Sequence, residues 1–106
     1  MIQGDIYQYK FKEPNKKRPV LILTKLSLIP GLNTTTVAEI TTTIRGNESE
    51  VILDISDGMP KDCVANLVNI QTIPKNKPGK FITHLSDERM REVFEAIRFA
   101  FGFGRF

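Results

Sequence analysis

The sequence predicts a mainly β (α+β) fold: a small, strongly bent β-barrel or half-barrel with one amphipathic helix packed against it. Two observations carry this. Five or six short segments rich in β-branched and aromatic residues alternate with Pro, Gly and Asn clusters up to Leu85, and a single helical apolar period follows. At 106 residues the chain is expected to form one domain, 1–106, with a real but modest core.

Asp5 to Phe11 reads as the first strand, with Tyr7, Tyr9 and Phe11 on one face and Gln8 and Lys10 on the other. Lys12 to Lys17, holding Pro14 and Asn15, is a turn-rich loop. The second strand is Pro19 to Thr24. Its run Val20 to Leu23 is too short for a helix and has no polar face, the pattern of a strand covered on both sides. Pro19 is expected at its first position, where a missing amide donor is tolerated. Leu28 to Asn33, with Pro30 and Gly31, reads as a loop.

Thr35 to Ile44 alternates as a third strand. Ala38, Ile40 and Ile44 fall on one face, and Val37, Glu39, Thr41 and Thr43 on the other, so Thr41 points out of the core. Arg45-Gly46-Asn47 is a turn, after which Val51, Leu53 and Ile55 alternate with Ile52 and Asp54. Asp57 to Pro60 is a loop, Cys63 to Ile73 a long or bent strand, and Phe81 to Leu85 a last short one. Ser86 then caps a helix with Asp87 and Glu88 in its first turn and Gly102 as its stop. Met90, Val93, Phe94, Ile97 and Phe101 share one face of it.

Composition excludes several classes. With 41% apolar and 25% charged residues the chain is globular and not disordered. No apolar run approaches the roughly 20 residues of a membrane span, and Met-Ile-Gln-Gly-Asp has no signal-peptide pattern, so a cytoplasmic protein is expected. A single cysteine, Cys63, excludes an internal disulfide, and a single histidine leaves too few soft ligands for zinc. Any metal would have to sit on oxygens. Cys63 itself reads as a small core residue.

The net charge of +3 is unevenly spread: Lys10 to Arg18 holds five cations and one anion, and Arg45 to Asp62 two cations and five anions. Lys75, Lys77 and Lys80 form a second basic group. Such loops suit a polyanion, although lysines that only keep the surface soluble give the same pattern. Arg18, between a cationic loop and a rigid strand, is well placed to grip a phosphate. Its plainer role is to pair with an acid at a strand end, as Thr41's is to fill a strand. His84 invites a general-base role but sits at a strand end before the helix, where a structural role fits better.

Gly4-Asp5-Ile6, Arg18-Pro19-Val20-Leu21-Ile22-Leu23, Ile40-Thr41, Asp62-Cys63-Val64, Ile70-Gln71-Thr72-Ile73 and Ile82-Thr83-His84-Leu85-Ser86 occur in this order over nearly the whole chain. In that succession the sequence resembles the MazF/PemK family. The resemblance implies an SH3-like barrel of the PemK/CcdB type and a homodimeric toxin of a type II toxin–antitoxin pair. It also implies a metal-independent, sequence-specific endoribonuclease, using no cofactor, that cuts single-stranded mRNA to 2',3'-cyclic phosphate and 5'-hydroxyl ends.

Arg18 matches the family's catalytic arginine and Thr41 its catalytic threonine. On the second and third strands they can bracket one phosphate, the guanidinium countering charge and the hydroxyl hydrogen-bonding a non-bridging oxygen. Arginine hardly ever releases its proton, so its work is mainly electrostatic. Lys16, Lys17, Lys75 and Lys77, with Lys10 and Lys12, are expected to position RNA without reading sequence. Asn66, Asn69 and Gln71 are candidates for base edges. Glu13 lies in the loop where some relatives carry a functional glutamate.

Two positions depart from the family. Gln71 stands where Ile-Arg-Thr-Ile would place an arginine, and Val68 where relatives often carry an acid, so Arg18 and Thr41 either act alone or work in a weakened enzyme. The implied partners are RNA, a MazE-like antitoxin whose disordered acidic tail folds onto the toxin and competes for Arg18, and a second copy of the chain. Phe99, Phe103 and Phe106 fall off the main apolar stripe and could form a dimer or partner surface, or a loosely packed tail. Two alternatives differ in class. A CcdB-like topoisomerase poison would rely on the tail Phe103 to Phe106 and not on Arg18, and a non-catalytic barrel would only bind RNA or protein.

Overall fold

Apolar alternation at a period of two and one capped helical period produce six strands and one helix. A computed structural model describes residues 1–12 and 16–102. The strands are β1 (Asp5–Lys10), β2 (Lys17–Ile22), β3 (Thr34–Thr41), β4 (Glu50–Leu53), β5 (Cys63–Pro74) and β6 (Phe81–His84), followed by helix α1 (Asp87–Phe101). They form one curled antiparallel sheet in the order β4-β5-β3-β2-β1-β6.

β2 is buried from both sides. Leu21 belongs to the larger core, with Ile6, Ala38, Ile40, Leu53 and Leu67 and the helix residues Met90, Val93 and Ala96. Val20 and Ile22 belong to a smaller core on the other face with Ile29, Val37 and Ile73, against which Tyr7, Tyr9 and Phe11 pack. Four apolar residues in a row therefore serve two cores, as expected of a covered strand.

Pro19 is the third residue of β2, not the first. Its partner across β1 is Gln8, whose own N–H and C=O bond outward to Lys80 and Gly79. In such a pair the backbone groups of both residues point away from each other. The nitrogen of Pro19 thus faces the β3 side, where pairing starts only at Val20, and no ladder bond is lost.

α1 starts as expected, with Ser86 Oγ accepting from the Arg89 N–H at 3.1 Å, and stops at Gly102 in the left-handed region (φ 67°). Its buried line is Met90, Val93 and Ala96, however, and Phe94 and Phe101 are exposed. The helix lies over β4 and β5 along its small-residue side, so the two phenylalanines fall just past the covered arc. Ile44, expected on the core face of its strand, is also exposed, as is Ile55. β3 stops at Thr41, and Ile55 opens a 3-10 turn, Ile55–Asp57, in which the backbone no longer alternates. A second 3-10 turn, Leu26–Gly31, replaces the expected loop there.

Asp57 draws the two outer strands together. Its carbonyl accepts from Thr83 Oγ1 of β6 at 2.9 Å, and its carboxylate accepts from Arg89 Nε of α1 at 2.9 Å. That carboxylate, with the added charge of Glu92, raises the pKa of the Arg89 guanidinium. The next residue, Gly58, has φ 90°, and a Cβ there would collide with the Thr83 side chain. Among the described residues no helix is long and apolar enough to cross a membrane.

Candidate functional site

β2 and β3 pair through Val20 with Glu39, Leu21 with Ala38 and Ile22 with Val37. Run two residues further, that register sets Arg18 across from Thr41. Because side chains alternate along a strand, Arg18, Glu39 and Thr41 share the face that holds Val20, Ile22 and Val37. β5 adds two residues to this face: Gln71, paired with Val37, and Asn66, paired with Glu39. Between them the register jumps, and Leu67, Val68 and Asn69 are accommodated opposite the single step from Ala38 to Glu39.

Arg18 is held by an acid. Its Nη1 donates to Glu39 Oε1 at 2.5 Å, and Gln71 Nε2 donates to the other carboxylate oxygen at 3.2 Å. The Arg18 side chain is 32% exposed and that of Glu39 18%, so the arginine is the outer partner. A guanidinium carries five N–H donors, and the bond to Glu39 uses one, leaving donors for an incoming anion. Thr41 is half-buried, and its hydroxyl accepts from the Thr43 N–H at 3.2 Å, which leaves its proton to donate elsewhere. The plainer role considered for Arg18 is thus present, in a form compatible with gripping a phosphate. Alternation alone puts Glu39 on Thr41's face; its role emerges only with the strand register.

The remaining expected contacts divide. Asn66 is half-buried beside Glu39, with its Oδ1 accepting from the Val68 N–H at 3.1 Å, while Asn69 and Val68 are exposed. Lys16 and Lys17 are exposed at the end of β2. Lys17 pairs with Lys10 and alternates onto the face opposite Arg18, whereas Lys16, whose carbonyl accepts from the Phe11 N–H, continues on Arg18's side.

Lys75 and Lys77 are not brought to Arg18 and Thr41. They follow the β5 end that pairs with Thr34, seven residues or about 24 Å of strand from Thr41. Lys75 Nζ instead donates to the Ile29 carbonyl at 2.9 Å, at the end of the 3-10 turn. Both lysines thus stand apart from the arginine along the sheet. Glu13, Phe103 and Phe106 lie outside the described residues.

His84 is structural in its bonding. Its Nδ1 lies 2.9 Å from Asp5 Oδ1, and Asp5 Oδ2 also accepts from the Ile2 N–H and Tyr7 hydroxyl, which fastens the N-terminal residues to β6. Cys63 is buried in the larger core; that burial, helped by Asp57, Asp62 and Asp54, pushes its thiol up to about 11.

Comparison with known proteins bears on family and fold. The model of the PemK-like, MazF-like toxin of type II toxin-antitoxin systems matches residues 2–101. "Endoribonuclease MazF3" of Mycobacterium tuberculosis is 42% identical over 87 residues, covering 82% of this chain and 84% of the relative. The solved structure of "Mycobacterium tuberculosis toxin MazF-mt6" superposes with a TM-score of 0.84 at 39% identity, covering 92% and 96% of the two chains. An "Endoribonuclease in complex with its cognate antitoxin from Mycobacterial species" has the same fold, with a TM-score of 0.84 at 22% identity over 96% and 95%.

Proposed function

The chain belongs to the PemK-like, MazF-like toxin family of type II toxin-antitoxin systems, and from that membership we propose that it cuts single-stranded RNA with Arg18 and Thr41. It is a MazF-type toxin endoribonuclease whose cleavage of mRNA arrests growth. The observation that carries the assignment of residues is geometric. Alternation puts Arg18 and Thr41 on one face of β2 and β3, each two residues past the last bonded pair, Val20 with Glu39.

The ribose 2'-oxygen bonds to phosphorus as the 5'-oxygen leaves, giving up one proton while the leaving group takes up one. The products are a 2',3'-cyclic phosphate and a 5'-hydroxyl. Arg18 offers its free N–H groups to the phosphate, where negative charge grows in the transition state, and the Thr41 hydroxyl donates to a non-bridging oxygen. No step so written requires a metal. Asn66, Asn69 and Gln71 border this face and are suited to base edges, and Lys16 to the phosphate backbone.

Three further properties follow from the family. The toxin works in the cytoplasm, where mRNA lies. It acts as a homodimer, and a cognate antitoxin restrains it by laying an acidic segment over the arginine. An extended anionic peptide and an RNA strand ask the same of this surface.

The test is cleavage of a long single-stranded RNA in EDTA by the protein and its Arg18→Ala and Thr41→Ala variants. Cleavage should survive EDTA, leave cyclic phosphate ends, and fall on the order of a hundredfold or more in Arg18→Ala. Undiminished cleavage by both variants would refute the assignment.

A further inference from the structure

Resting on the ribonuclease reading above, we propose that Glu39 is a positioning residue for Arg18, aiming the guanidinium at the phosphate without itself touching RNA. Glu39 sits where three strands meet, paired with Val20 of β2 and Asn66 of β5. Each of its carboxylate oxygens is taken by a donor from a different neighbouring strand. Oε1 accepts from Arg18 Nη1 at 2.5 Å and Oε2 from Gln71 Nε2 at 3.2 Å. A carboxylate held from both sides has little freedom to swing, so it anchors the Nη1 end of the guanidinium that it binds.

An arginine is long and flexible, and ordering it during the reaction costs side-chain entropy. A charge-assisted bond that sets its direction beforehand removes that cost from the chemical step. The same carboxylate also places a negative charge beside the site that receives a phosphate, which weakens binding. The two effects act on different quantities. Orientation raises turnover, and repulsion raises KM.

The experiment measures kcat and KM for RNA cleavage by the wild type, Glu39→Ala and Glu39→Gln. It also measures binding of a matching RNA whose cleavage-site ribose lacks the 2'-hydroxyl and so cannot be cut. Glu39→Ala should lose about tenfold to a hundredfold in kcat while binding the uncleavable RNA as tightly as the wild type or more tightly. Glu39→Gln keeps an acceptor for Nη1 and should lose less. In ¹⁵N NMR spectra the Arg18 side-chain N–H signals should be resolved in the wild type and broadened in Glu39→Ala.

Turnover equal to or above wild type in both variants would overturn the proposal. So would binding that weakens in step with kcat together with a lowered Tm, the mark of a merely structural role. Should Glu39→Ala fail to fold, Glu39→Gln decides. Unchanged Arg18 signals would overturn the proposal whatever the activity. Arg18→Ala run in the same assay separates the two levels, because wild-type cleavage by that variant removes the assignment of Arg18 to the reaction, on which the proposal rests.

Discussion

Arg18 stands two residues beyond the last bonded pair of β2 and β3, and Thr41 stands two residues beyond the same pair on the other strand, on the same face. Past that point the two strands are no longer tied by ladder bonds. What Arg18 offers a phosphate is a planar fork and not a point charge. Arg18→Lys keeps the charge but loses the fork and the geometry of the Glu39 bond. Single-turnover RNA cleavage should therefore fall by at least about tenfold, a loss in the range of a misplaced catalytic donor, with Tm close to wild type.

The lysines are not equivalent. Lys16 and Lys17 are exposed at the hairpin end, whereas Lys75 is tied to the Ile29 carbonyl. In Lys16→Glu the slope of log affinity against log salt should become shallower by about one for each phosphate no longer neutralised. Lys75→Ala should leave that slope unchanged and lower Tm instead. A fluorescence binding titration across a salt series, with a thermal melt of each variant, checks both.

The buried thiol of Cys63, with its pKa pushed up to about 11, should be unreactive to a disulfide reagent at neutral pH until the protein unfolds. The sign of the pH effect follows. From about pH 9 to 11 the unfolded chain has released the thiol proton while the folded chain still holds it. The unfolded state then binds fewer protons and stability falls as pH rises. Denaturant midpoints measured over this range should drop less in Cys63→Ala than in the wild type.

Gly58→Ala should destabilise the fold. It forces a side chain into a left-handed backbone conformation and against Thr83, the residue that closes β6 onto the 3-10 turn after β4. The cost should be about 1–3 kcal/mol for the backbone alone, and chemical denaturation measures it. Gly46→Ala, also at positive φ but facing open space, should cost less.

Much of this fold is legible in the residues. The apolar run Val20 to Leu23 announces a strand with cover on both sides, and Ser86, Asp87, Glu88 and Gly102 mark both ends of α1. The limits of legibility are just as specific. Periodicity gives the width of the helix's apolar arc but not its centre, so it points Phe94 inward and passes over the smaller Ala96. Alternation assigns Thr41 and Glu39 to one face, but Arg18 and Gln71 can be joined to Glu39 only with cross-strand register in hand. The three-residue step in β5 that sets this register leaves no mark in apolar spacing.

The sheet's two outermost strands, β4 and β6, are four residues long. An intruding chain that tried to extend the sheet from either strand would find few backbone partners, too few to seed a stack of repeating strands. Two cores folded around one central strand thus come with margins that resist fibril growth.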